Sequence, residues 1–170
     1  MAKPSACPGC GYQPSEAAPP DDSAIQDTAA RSAFCYSCFT QLLARSYGDP
    51  AYRSVHQLLV DSYGAQHPGG NDHRSVLGTA LSLMTLCLFL EHGVDPSHGP
   101  RLHNAMASKS VFHYLDPPAW RGTITAAQVL TARDAEEHLG LVRAWAEQVW
   151  QAWSPRHATV RGWLAAGGYW

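Results

Sequence analysis

Four cysteines in two short pairs carry the strongest chemical signal in the chain: Cys7-Pro8-Gly9-Cys10 and Cys35-Tyr36-Ser37-Cys38. Two residues between thiols let both sulfurs face one ion from a tight turn, and Pro8, Gly9 and Gly11 suit such a turn. Residues 11–34 separate the pairs. Four thiolates at about 2.3 Å close a tetrahedron and leave no coordination position for a substrate. The expected cofactor is therefore one structural zinc ion per chain, held by Cys7, Cys10, Cys35 and Cys38. Iron in a rubredoxin-like site is the chief competitor, because thiolates also suit iron. Two disulfides are the plain alternative, disfavoured because no export signal is visible. Cys87 sits in an apolar run and reads as an inert core thiol.

A second concentration of chemistry runs from His56 to Pro68, in a chain with 9 histidines. At helical spacing Tyr52, His56, Leu59, Tyr63 and Gln66 or His67 share one face. Val55 and Leu59 put the His56 imidazole at the buried stripe, where it must be hydrogen-bonded or bound to a metal. The candidate catalytic set is His56, Asp61, Tyr63, Gln66 and His67, with a neutral imidazole or a bound metal serving as base or Lewis acid. The plain alternative is a core histidine satisfied by a neighbour. His56 and His67 cannot share one ion, since positions 56 and 67 of one helix lie about 16 Å apart. The Gly69-Gly70 turn makes the flanking helices antiparallel neighbours. It places His67 near His73, and His56 opposite Ser82 to Met84, so a second metal at the turn or at mid-bundle is conceivable. No spacing of the H-E-x-x-H kind supports it. His98 and His103 fall in a Pro-containing loop region, and His113, His138 and His157 receive no role.

The elements that must position these groups read as helices. Residues 39–47 form a short amphipathic run. Asp49-Pro50 starts a helix that runs to about Gln66, where His67-Pro68-Gly69-Gly70 stops it. Asn71 or Asp72 caps the next helix, which ends at His92-Gly93. A short helix is expected over 102–107, a capping box at Thr125 to Gln128, a long helix from Asp134 to Trp153, and a last helix from Ser154-Pro155 to Gly167. Leu141, Trp145, Val149 and Ala152 follow one helical stripe, with Trp150 and Trp153 on the next. A Trp-rich core helix is the expectation, and an indole-lined cavity the alternative. Residues 14–20 are rich in Pro and Ala. The fold class expected is mainly α, with a zinc-binding arm over 1–38 and a helical bundle over 39–170.

Bulk properties exclude some functions. Hydrophobic residues make up 45% and charged ones 15%, as in a folded globular chain. A net charge of -2 argues against a nucleic-acid partner. The apolar stretch 76–90 is too short for a confident membrane span and reads as a core helix. Paired cysteines suit a reducing cytoplasm.

The chain resembles a bacterial family of small proteins with no assigned function. The resemblance rests on the opening Cys-Pro-x-Cys-Gly and the second Cys-x-x-Cys, on Val60-Asp61-x-Tyr63-x-x-Gln66-His67-Pro68, and on Leu86-Cys87-Leu88 leading to Glu91. It also rests on Trp145-Ala146-x-x-Val149-Trp150-x-Ala152-Trp153 with His157. It implies that the polar segment belongs to the family pattern, and that relatives carry a histidine where this chain has Ser82. It implies no activity. Two expectations stand: a small cytoplasmic enzyme working on a small molecule in a bundle pocket, or a non-catalytic zinc-stabilised module that recognises a protein partner. Oligomeric state is left open.

Overall fold

The computed structural model describes residues 6–14, 28–108 and 111–169. The Pro- and Ala-rich stretch lies, after Pro14, outside the described residues. Among them the elements are α-helices and short 3-10 turns, with no strand, so the chain is mainly α.

Helix α1 spans Ala33–Gly48 and begins earlier than the run at 39–47 suggested. Ser32 supplies the start: its side chain accepts a hydrogen bond from the Cys35 N–H at 3.2 Å, the usual N-cap arrangement. Both cysteines of the second pair therefore lie on a helix, one turn apart.

Asp49 accepts from the Ala51 N–H at 2.9 Å, as the Asp-Pro signal predicts. The residues that follow, Pro50–Val55, form a 3-10 segment, and helix α2 proper is His56–Gln66. Helix α3, His73–Glu91, is capped by Asp72. Helix α4, Gly99–Ala107, contains His103 and begins three residues before the short helix expected over 102–107. The capping box of Thr125 and Gln128 opens α5, Ala126–Leu130. Asp134 accepts from the Glu137 N–H at 2.8 Å and starts α6, Ala135–Ala152. Helix α7, His157–Gly167, closes the chain.

Helices α2 and α3 pack antiparallel at the centre. Asp61 meets Thr85, and Gly64 meets Ser82 so closely that a Cβ on Gly64 would lie 2.6 Å from the Ser82 Oγ. This register corrects the one inferred from the turn. His56 lies level with the end of α3, not with Ser82 to Met84, and Ser82 packs on the glycine of the facing helix. A histidine at 82 would have met Gly64 rather than His56. The physical reason is that α2 and α3 slide past each other along their close contact at Gly64, instead of folding back symmetrically about the turn.

Helix α6 lays its tryptophans into this pair. Trp145 and Trp153 are fully buried, and truncating either to alanine would cost about 3–5 kcal/mol. Each indole N–H has a partner: Trp145 donates to Gln66 Oε1 at 3.1 Å, Trp150 to Glu91 Oε1 at 3.0 Å and Trp153 to the Ala65 carbonyl at 3.0 Å. The stripe is a core, satisfied at its polar edges. Helix α3 is long and apolar enough to cross a membrane by length and composition, yet 56% of that window is buried inside the fold.

Candidate functional site

The N-terminal knuckle is built by backbone. The Cys7 N–H donates to the Tyr12 carbonyl at 2.9 Å and the Gly11 N–H donates to the Cys7 carbonyl at 2.8 Å, curling Cys7 to Cys10 into a turn. The Ser32 N–H donates to the Cys7 Sγ at 3.3 Å, and Cys10 and Cys35 bring their sulfurs within 3.2 Å. No disulfide joins any of the five cysteines.

The fourth member of the group is His67. Ligand atoms of Cys7, Cys10, Cys35 and His67 all lie within 4.8 Å of one another, close enough to bind a metal ion. Cys38 stands outside this group, buried with the apolar residues of the core. Cys35 falls in the first turn of α1 beside the Ser32 cap, and Cys38 follows one turn on, packed with the core. His67 likewise departs from the expectation that placed it beside His73.

The imidazole is set up for this role. Its Nδ1 lies 2.9 Å from the Tyr63 carbonyl, which can only accept, so Nδ1 carries the proton and Nε2 presents a lone pair. Nε2 is buried and has no hydrogen-bond partner among the described residues. A carbonyl holding the far nitrogen of a histidine is the usual way a protein orients a metal-binding imidazole. The ring is also stacked in place: Phe39 on Tyr63 at 3.9 Å between centroids, and Tyr63 on His67 at 4.1 Å. Hydrogen bonding from Cys10, and then from Cys35, pushes the Cys7 thiol far below its ordinary range, while hydrogen bonding from Cys10, and then from Cys7, pushes Cys35 far above it. Three thiolates packed this closely would repel one another, and a cation shared among them relieves the conflict.

A second group, Cys87, Glu91 and His92, also meets the distance test. There the carboxylate is engaged by Arg161, through bonds of 2.7 and 2.9 Å, and by the Trp150 indole. Arg161 holds the Glu91 carboxyl down at about 2, and burial lifts the Cys87 thiol to about 12. An arginine already in place makes this an ion pair between α3 and α7.

The five residues of the candidate catalytic set do not share one pocket. His67 belongs to the cysteine group, and Tyr63 stacks on it and holds its Nδ1. Gln66 is fully occupied, donating to the Arg121 and Ile124 carbonyls at 2.9 Å each and accepting from Trp145. Asp61 is completely buried and gathers three side chains: Gln57 Nε2 at 3.2 Å, Thr85 Oγ1 at 2.8 Å and His103 Nε2 at 3.1 Å. Burial raises its pKa, opposed by His103 and Thr85. His103 was missed as a partner because nothing local pairs residues on separate helices; only the packing of α4 beside α3 brings it there.

His56 lines a groove of about 420 Å³ between the end of α1, the start of α2 and the 3-10 turn before α4, together with Tyr47, Arg53, Gln57 and Pro96. Its Nδ1 lies 2.7 Å from the Ser46 Oγ, and that hydroxyl donates to the Leu43 carbonyl at 3.0 Å. When the hydroxyl donates to Leu43, Nδ1–H donates to Ser46 and Nε2 keeps its lone pair. Burial depresses the imidazole pKa, opposed in part by the Asp61 carboxylate, and the Arg53 charge adds a smaller push downward. The ring is therefore neutral at pH 7.

The later histidines lie against aromatic rings. His157 stacks on Trp150 at 3.7 Å and His113 meets the edge of Trp163 at 5.3 Å. His138 is fully buried against the Tyr52 ring, with neither ring nitrogen bonded among the described residues.

Residues 5–154 match the model of a family of unknown function, DUF5946, and the chain belongs to that family. No curated protein matches the chain, and no solved structure does.

Proposed function

We propose that this is a zinc-binding helical protein whose ion, one per chain, is held by Cys7, Cys10, Cys35 and His67 and acts structurally. The observation that carries the reading is the buried His67 ring, its Nδ1 held by the Tyr63 carbonyl, with ligand atoms of His67 and three thiols all within 4.8 Å of one another. Three thiolates and an imidazole form a closed tetrahedral set, which suits zinc better than the four-sulfur environment of rubredoxin iron. The ion joins three segments distant in sequence: the arm, the start of α1 and the end of α2. Metal analysis of the purified chain tests it: one zinc per chain, kept in Cys38→Ser and lost in Cys35→Ser, is the expected result. Zinc lost from Cys38→Ser would sink the assignment of His67.

We further infer that the bundle serves acid–base chemistry on a small molecule in the His56 groove, with the neutral imidazole as base through Nε2. What supports this is the Ser46 contact that fixes the tautomer beside a groove of ligand size. A thermal-shift screen with small acids, amines and nucleosides, run on wild type and His56→Asn, tests the idea. Ligands that stabilise only the wild type support it. If nothing engages the groove, the non-catalytic zinc-stabilised interaction module is the better description. Metal-binding thiols suit a reducing compartment, which favours the cytoplasm.

A further inference from the structure

The walls of the His56 groove say what kind of molecule fits it, and this step rests on the small-molecule reading above. Two features stand out. The lining is mainly apolar in character: the ring of Tyr47, itself 67% exposed, and the flat faces of Pro96 and Pro100. Against them stands one permanent charge, Arg53. Its guanidinium donates to the Tyr47 carbonyl at 3.3 Å, and no ion pair engages it among the described residues. A guanidinium has five donors in a planar fork that matches a carboxylate, so one backbone bond leaves the fork able to take a bidentate partner. His56 lies close to Arg53 and tilts against Tyr47 at 4.7 Å between centroids. A neutral ring there adds a flat surface without adding a second charge.

A ligand complementary to this arrangement is mostly apolar, flat and singly anionic. We propose that the groove binds a small aromatic carboxylate, its carboxyl on Arg53 and its ring between Tyr47 and the two prolines. A volume of about 420 Å³ accommodates one or two fused rings with a short substituent. A bulky or polyanionic molecule finds neither the room nor a second cation among the lining residues. The ring face would lie beside His56, which puts any ring hydroxyl or amino proton within range of the imidazole lone pair.

The test uses benzoate and 1-naphthoate as probes, with benzamide as the uncharged counterpart, titrated into the zinc-loaded full chain and followed by amide and histidine NMR signals. Expected are saturable shifts at Tyr47, Arg53 and His56 with the carboxylates, binding by benzamide about ten-fold weaker or more, and a similar loss in Arg53→Gln. Arg53→Lys, which keeps the charge but not the fork, should recover part of it and controls for folding. The proposal is overturned if benzamide binds as well as benzoate, if Arg53→Gln binds as wild type, or if the shifts map elsewhere. Neutral or cationic molecules that shift the groove while carboxylates do not would overturn the ligand class and leave the acid–base reading standing. Silence from every small molecule tried would remove both.

Discussion

The backbone of Gly9 lies against the imidazole of His67: a Cβ on Gly9 would overlap the Cδ2 and Cγ atoms of the ring and the Ala30 carbonyl. The glycine between the first two cysteines is thus a condition for the histidine to reach the group. Gly9→Ala should displace His67 and weaken metal binding by about ten-fold or more, since misplacing or removing a ligand's support costs that much. Competition with a chromophoric chelator measures it. Unchanged affinity would show that the ring does not need this approach.

His67→Cys should keep one metal per chain, because a thiolate reaches the same corner of the tetrahedron. His67→Ala should lower affinity and melting temperature together. Cobalt substitution reports the difference: the visible spectrum should move from a three-sulfur to a four-sulfur type in His67→Cys. An identical spectrum would mean that residue 67 is not bound.

His138 is a buried imidazole without a partner, and burial, helped by the nearby Arg45 charge, depresses its pKa to about 4. In the unfolded chain it titrates near 6.5, so between these values the unfolded state binds more protons and stability falls as pH falls. The loss attributable to this group approaches about 3 kcal/mol by pH 4, from the size of the shift. His138→Phe should remove that part of the pH dependence and be neutral or stabilising at pH 7, since it replaces unpaired polar atoms with an apolar ring against Tyr52. Urea melts of both proteins at pH 7 and pH 5 give the comparison. Parallel losses would refute the assignment.

Asp61→Ala should destabilise the fold by about 2–4 kcal/mol, because it strands the Gln57 amide donor in the core, removes the acceptor shared by Thr85 and takes the partner from His103. Asp61→Asn, which keeps the shape, should cost less. If both variants melt like wild type, the carboxylate contributes nothing to the α2–α3–α4 junction.

Capping residues made most of the helices legible. Asp49, Asp72, Thr125 and Asp134 all sit where their side-chain acceptors meet the next backbone N–H groups. Ser32 is the same device, unread, and its omission placed the start of α1 too late. The core tryptophans were legible too, because spacing of large apolar residues is a local property. What was not legible was which polar groups meet. His103 reaches Asp61, and His67 reaches three cysteines, through packing of segments far apart in the chain. Helical-face spacing within α2 cannot tell a residue turned toward α3 from one turned toward the arm.

Gln66 and His67 are neighbours in sequence but answer to different parts of the molecule. One amide stitches the 121–124 backbone to the Trp145 indole, and the next side chain completes the cysteine group. The end of α2 is consequently a keystone shared by the aromatic core and the metal end. The N-terminal segment should not fray as a separate foldon: hydrogen exchange at the knuckle amides and at the Trp145 indole should rise together when the ion is withdrawn.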